Sequence, residues 1–178
     1  MSEKLYNSLL FQSIFLMLFL ILVGLLIPNW LVFVITKAIA YGLVGLGIIT
    51  LMRGGLVSFG QGFVFGIGGY TAGLLGTQAG LTDAMLLLFV SFLFTGLVGL
   101  IIAPLLARYR DIFFAMLSLA FSMVLYGILI KIDAIGGSDG FVLPESTYFG
   151  IKPSSEYADY VLYVVAIIMT GFISILLR

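Results

Sequence analysis

The chain has 178 residues, 62% of them hydrophobic and 9% charged, with a mean hydropathy of +1.28. Soluble domains carry about 25% charged residues, so this composition excludes an ordinary soluble fold and points to an all-α integral membrane protein. Eight basic and eight acidic residues give zero formal net charge and no basic nucleic-acid surface, while the lack of cysteine and histidine excludes disulfides, Cys/His zinc sites and Ser–His–Asp or Cys–His chemistry within the chain.

About six spans follow from the apolar runs and their breakers. Leu9 to Ile27 holds 19 residues without a charge, about 28 Å of helix and enough to cross the hydrocarbon core. Pro28-Asn29-Trp30 then makes a turn with an interfacial aromatic, so this run reads as a retained first helix rather than a cleaved signal. The second span covers about Leu31 to Met52 and contains Lys37. Arg53-Gly54-Gly55 connects it to a third span ending near Gly76. Thr77 to Asp83 is a short polar loop, and a fourth span runs from about Ala84 to Ala107. Arg108-Tyr109-Arg110-Asp111 leads into a fifth, about Ile112 to Ile132. Asp133 to Glu156 is polar and rich in turn signals, and a sixth span starts near Tyr157.

The basic residues set the orientation. With the N-terminus inside, Lys4, Arg53, Arg108, Arg110 and Arg178 are cytoplasmic, Lys131 and Lys152 are outside, and Lys37 stays in the membrane. The expected topology is N-in, C-in, with residues 1–178 forming one transmembrane domain.

The third span is unusual. Gly54 to Gly76 holds nine glycines in 23 residues. At helical spacing, Gly55, Ser58, Gly62, Gly66, Gly69, Gly73 and Gly76 form one small-residue stripe of the kind that lets helix backbones approach closely in lipid. Ser58, Gln61, Tyr70 and Thr71 add polar groups. Such a span is either straight or broken, and its polar guests serve helix packing or line a path for a polar solute. Gln61 in particular suits either an interhelical hydrogen bond or solute contact. Lys37 either snorkels to the interface or faces an aqueous cavity.

Three segments carry a resemblance. Gly55-Leu-Val-Ser-Phe-Gly-Gln-Gly-Phe-Val-Phe-Gly-Ile-Gly-Gly-Tyr-Thr-Ala-Gly-Leu-Leu resembles the GLLSLGHGAFFGIGAYTAALL pattern of branched-chain amino-acid ABC transporter permeases. Arg110-Asp-Ile-Phe-Phe-Ala-Met-Leu-Ser-Leu-Ala-Phe is similar to that family's RGLYFAMLTLAF, and Gly136-Gly-Ser-Asp-Gly140 to its TGGSDGL loop. The three occur in family order between about residues 31 and 143. Gln61 replaces a histidine frequent in the pattern, and Ile135 replaces the threonine before GGSDG. Urea and short-amide permeases share these patterns.

The resemblance implies a plasma-membrane permease subunit of an ATP-driven importer for leucine, isoleucine and valine, with no enzymatic activity and no cofactor of its own. It implies a second permease subunit, cytoplasmic ATPase subunits that bind ATP, and an extracytoplasmic substrate-binding protein. On this reading Ser58, Gln61, Gly62, Tyr70 and Thr71 are candidates for the substrate path. Gly55, Gly62, Gly66, Gly69, Gly73 and Gly76 serve packing. Gly136, Gly137, Ser138, Asp139 and Gly140 form an outer loop that either docks the binding protein or is a plain turn. Arg53, Arg108 and Arg110 fix orientation. The family continues into further helices and an ATPase-coupling segment; nothing similar occurs before Arg178, so the chain is expected to correspond to the N-terminal portion of a permease. A non-transporting membrane subunit is the alternative. An intramembrane enzyme has little to work with, since histidine and cysteine are absent and Lys37 is the only charged residue deep in an expected span.

Overall fold

In a computed structural model the structure describes residues 15–137, 139–140, 142–143, 146–148, 150, 152 and 155–177. Lys4, Ser138, Glu145, Arg178 and the start of the expected first span at Leu9 lie outside the described residues. The described elements are α1 (Phe15–Leu26), α2 (Asn29–Arg53), α3 (Gln61–Thr77), α4 (Ala84–Leu106), α5 (Asp111–Lys131), a single 3₁₀ turn (Asp133–Ile135) and α6 (Ser155–Leu176). Four stretches are long and apolar enough to cross a bilayer: Asn29–Arg53, Ala84–Leu106, Ile112–Lys131 and Tyr157–Leu176. Large apolar side chains stay on the outside of these helices, among them Phe92, Leu100, Ile101, Ile112 and Phe113. In water such surfaces would drive aggregation; in lipid they face their preferred solvent.

The chain divides into two compact units, one of residues 1–46 with 153–178 and one of residues 47–152. In the first, Val32 of α2 and Tyr163 and Ile167 of α6 form a buried cluster, with Met17, Leu20 and Ile21 of α1 packed against it. The Tyr163 hydroxyl donates to the Leu20 carbonyl at 2.8 Å and that of Tyr160 to the Ile21 carbonyl at 3.2 Å. Both rings press on Gly24, where any Cβ would overlap the Tyr163 ring.

In the second unit α3 packs against α4 and α5, which also touch each other. One end of this unit carries the α4–α5 connection with Arg108 and Arg110. The other carries Asp83 and the loop after α5. Asp83 caps α4: its Oδ1 accepts from Met85 N (3.0 Å) and Leu86 N (3.3 Å). Its Oδ2 accepts from Gly150 N (3.1 Å), and Ala84 N donates to the Thr147 carbonyl, so one carboxylate ties the long outer loop to a helix start. The glycines of that loop also have a local role. Gly136 (φ +93) and Gly137 (φ +49) close the 3₁₀ turn, their N–H groups returning to the carbonyls of Asp133 and Ile132.

The largest departure from the expected elements is in the third span. It is not helical from Gly54; α3 begins at Gln61 and has 17 residues, about 25 Å. Residues 54–60 instead close α2 and then run outside any helix. Gly55 sits at φ +76, with Gly55 N bonded to the Met52 carbonyl and Leu56 N to the Leu51 carbonyl. This is a Schellman stop, which requires a residue that tolerates the left-handed region. Gly55 therefore ends a helix rather than packing one.

Candidate functional site

Backbone that leaves a helix must find partners within the protein wherever lipid surrounds it, because lipid offers none. In residues 56–60 they come from three serines. The Ser118 hydroxyl of α5 accepts from Phe59 N at 3.1 Å and donates to the Ala115 carbonyl at 2.9 Å. The Ser122 hydroxyl, one turn on, lies 3.3 Å from the Phe59 carbonyl and 3.2 Å from that of Ser118. Ser58 Oγ accepts from Gly60 N at 3.1 Å. Gly60 is where the segment lies closest to α5: a Cβ there would stand 3.1 Å from the Ser118 Cβ. Two hydroxyls at i and i+4 on α5 thus clamp a non-helical strip of backbone at the start of α3.

Above this clamp is a cavity of about 330 Å³ bounded by the strip, α3, α4 and α5. Phe63, Phe114 and Phe121 supply aromatic wall, with Phe63 and Phe121 edge to face at 5.8 Å. The polar lining is Ser58, Gln61, Thr95 and Ser118, and no charged side chain takes part. Ser58 and Ser118 are committed to the clamp. The Gln61 side chain lies beside Gly47 of α2, whose missing Cβ would stand 3.4 Å from Oε1. Thr95 Oγ1 is buried and has no hydrogen-bond partner among the described residues. The arrangement provides an apolar chamber with a small number of uncharged hydrogen-bonding groups. It can hold a small amphipathic molecule without binding it tightly, since nothing in the wall neutralises a full charge.

Of the sequence-derived path candidates, Ser58 and Gln61 line this cavity, and Gly62, Tyr70 and Thr71 do not. Thr71 donates to the Ile67 carbonyl at 2.7 Å. Gly62 faces Ser122 of α5 and Gly66 faces Leu125, so these two glycines form the α3–α5 seam. Gly73 and Gly76 are buried, Gly76 under Leu143 of the outer loop, while nothing lies within 4 Å of a Cβ built on Gly69. The stripe is therefore divided among a helix stop, a packing seam and an open face. Ser118, Ser122 and Thr95 went unrecognised in the sequence. The serine pair did have a signal, two hydroxyls four residues apart in an otherwise apolar helix. Thr95 also had one, since Ser91, Thr95, Gly99 and Ala103 form a four-residue ladder of small residues along α4.

A family profile described as the branched-chain amino acid transport system permease component matches residues 30–178. No curated protein and no solved structure gives a match. The matched region takes in the clamp, the cavity, the GGSDG loop and four of the apolar helices long enough to span a bilayer. The family is one of transport permeases, not of enzymes. The chain is a multi-pass plasma-membrane protein that belongs to the branched-chain amino acid transport permease family.

Proposed function

We propose that this chain is a membrane-spanning permease subunit of an ATP-binding cassette importer, forming part of the path by which leucine, isoleucine and valine enter the cell. The observation that carries this reading beyond the family is the cavity beside the clamp, whose aromatic and aliphatic walls suit a branched side chain. Its uncharged polar groups give the other end of such a solute weak, reversible contacts, as a transit site needs. Energy comes from ATP hydrolysed by separate cytoplasmic subunits, and the solute arrives from an extracytoplasmic binding protein. The loop held by Asp83 is the surface available to that protein, and a second permease subunit completes the path.

The test is ATP-dependent uptake of radiolabelled leucine into proteoliposomes holding the complete transporter, prepared with and without this chain. Uptake should require it. Undiminished uptake in its absence would remove the proposal. The uncharged lining also accommodates a small neutral amide, so the same vesicles separate the two substrate classes. Excess isoleucine should suppress leucine uptake, and excess urea or acetamide should leave it unchanged.

A further inference from the structure

Threonine within a membrane helix has a default partner, the carbonyl one turn back, because no water is present to take its hydroxyl. Thr36, Thr71, Thr77 and Thr170 all follow it, donating to the carbonyls of Val32, Ile67, Gly73 and Ala166 at 2.7–2.8 Å. Thr95 does not. Its Oγ1 is buried, makes no hydrogen bond among the described residues, and is directed toward α3, where the missing Cβ of Gly68 would stand 3.4 Å away. A larger residue than glycine at position 68 would crowd this hydroxyl. An unpaired hydroxyl in an apolar surround is costly, and here the local remedy is one turn away and unused.

Thr95 also stands at a boundary. With Val64 and Gly99 it lines both the 330 Å³ cavity and a second groove of about 590 Å³ between α3 and α4. That groove runs on to Ser91, 8% exposed, whose Oγ likewise has no partner among the described residues. Two covered hydroxyls four residues apart on α4 thus lack a hydrogen-bond partner among the described residues, although each belongs to a residue that lines this groove.

We propose that Thr95 contacts the solute directly: rotation about its Cα–Cβ bond turns Oγ1 from Gly68 into the cavity, where it hydrogen-bonds the polar end of a branched aliphatic amino acid whose side chain lies against Phe63, Phe114 and Phe121. This rests on the permease reading above and adds a specificity-determining residue to it. The hydroxyl both donates and accepts, so it serves a carboxylate or an ammonium group as the solute passes. Thr71, although polar and on the glycine-rich helix, is occupied by its own backbone and has no such role.

The test uses the complete reconstituted transporter. Thr95→Val keeps the shape and removes the hydroxyl, and should raise the KM for leucine by roughly fivefold with little change in maximal rate, the effect of one lost hydrogen bond. Thr95→Ser should retain the wild-type KM. An unchanged KM in Thr95→Val overturns the proposal. Should that variant fail to assemble, Thr95→Cys decides, because the chain has no cysteine of its own. Leucine should slow modification at position 95 by a small membrane-permeant thiol reagent and leave Thr71→Cys unaffected. Equal protection at both positions, or none at 95, overturns the proposal. Wild-type leucine uptake in the same vesicles tests the permease reading separately: if it is present, a negative result at Thr95 counts against this residue alone.

Discussion

The two units of this chain solve the same problem with opposite side-chain chemistry. In residues 1–46 with 153–178, large aromatic side chains reach across. Tyr160 and Tyr163 span the gap to α1 and place their hydroxyls on its carbonyls, over the bare backbone of Gly24. In residues 47–152 small groups do the joining, with glycines on α3 and serines on α5 bringing backbone against backbone. Aromatic bridging fills space and leaves a tight, apolar cluster around Tyr163. Small-residue joining leaves space, and the uncharged cavity lies in that unit. In lipid, where hydrophobic burial between helices contributes little, packing of either kind holds helices together. The second keeps more room for a passenger, cavities of about 330 and 590 Å³ against one of about 220 Å³ in the first.

The largest effect should come from filling the aromatic bridge. Gly24→Ala forces a methyl into the Tyr163 ring with the Tyr160 ring close behind, and overpacking of this kind costs about 3 kcal/mol. Reversible unfolding of the purified chain in mixed micelles measures it. Tyr163→Leu in the same chain should recover part of the loss, because the clash leaves with the ring. Gly69→Ala provides the contrast in the other unit. Nothing lies within 4 Å of that position, so the change should be neutral or slightly stabilising through helix propensity. Equal losses at Gly24 and Gly69 would break the distinction between a used and an unused glycine.

Second comes the clamp. Ser118→Ala leaves the partly buried Phe59 N–H without its acceptor, a loss of about 2 kcal/mol. Ser122→Ala should cost less, about 0.5 kcal/mol, since its hydroxyl divides itself between the Phe59 and Ser118 carbonyls. The reverse order would mean that the strip hangs on Ser122 instead.

These predictions also show what was legible in the sequence. Composition and apolar run length gave the class, the bounds of the second, fourth and fifth spans and the start of the sixth to within a few residues, because bilayer thickness imposes helix length directly. Asp83 as a loop end and Gly136-Gly137 as a turn were readable because capping and left-handed glycine are local phenomena. The start of α3 was not. A glycine-rich apolar stretch reads equally as helix or as strip, and the choice depends on whether distant hydroxyls can satisfy the strip's backbone. Ser118 and Ser122 lie about sixty residues downstream of it, so no local pattern connects them to Phe59. For Thr95 the informative feature is the unused bond to its own backbone, which appears only in coordinates.

A third, smaller effect tests how the second unit closes at its other end. Asp83→Ala removes the cap on α4 and releases Gly150 N, a loss of about 1 kcal/mol. Hydrogen exchange should accelerate in two places at once, at Met85 and Leu86 and around Thr147 to Gly150. Acceleration at the helix start alone would show that the outer loop is held by Thr147 and Leu143 without the carboxylate.

The smallest effect belongs to the most conspicuous residue of the first unit. Lys37 is a charge inside a span, but its side chain is exposed and its Nζ lies 4.4 Å from the centre of the Phe33 ring, one turn back toward the start of α2. The stem therefore runs toward the expected outer interface and rests its charge on an aromatic face, an arrangement worth roughly 0.5–1 kcal/mol at an exposed site. Lys37→Met gives up that contact and also relieves the helix of a charge in lipid, so stability should change by less than about 0.5 kcal/mol. Leucine uptake by the complete transporter should be unaltered. A collapse of uptake with the fold intact would place Lys37 on an aqueous path, and would mean that the aromatic unit holds part of the route as well.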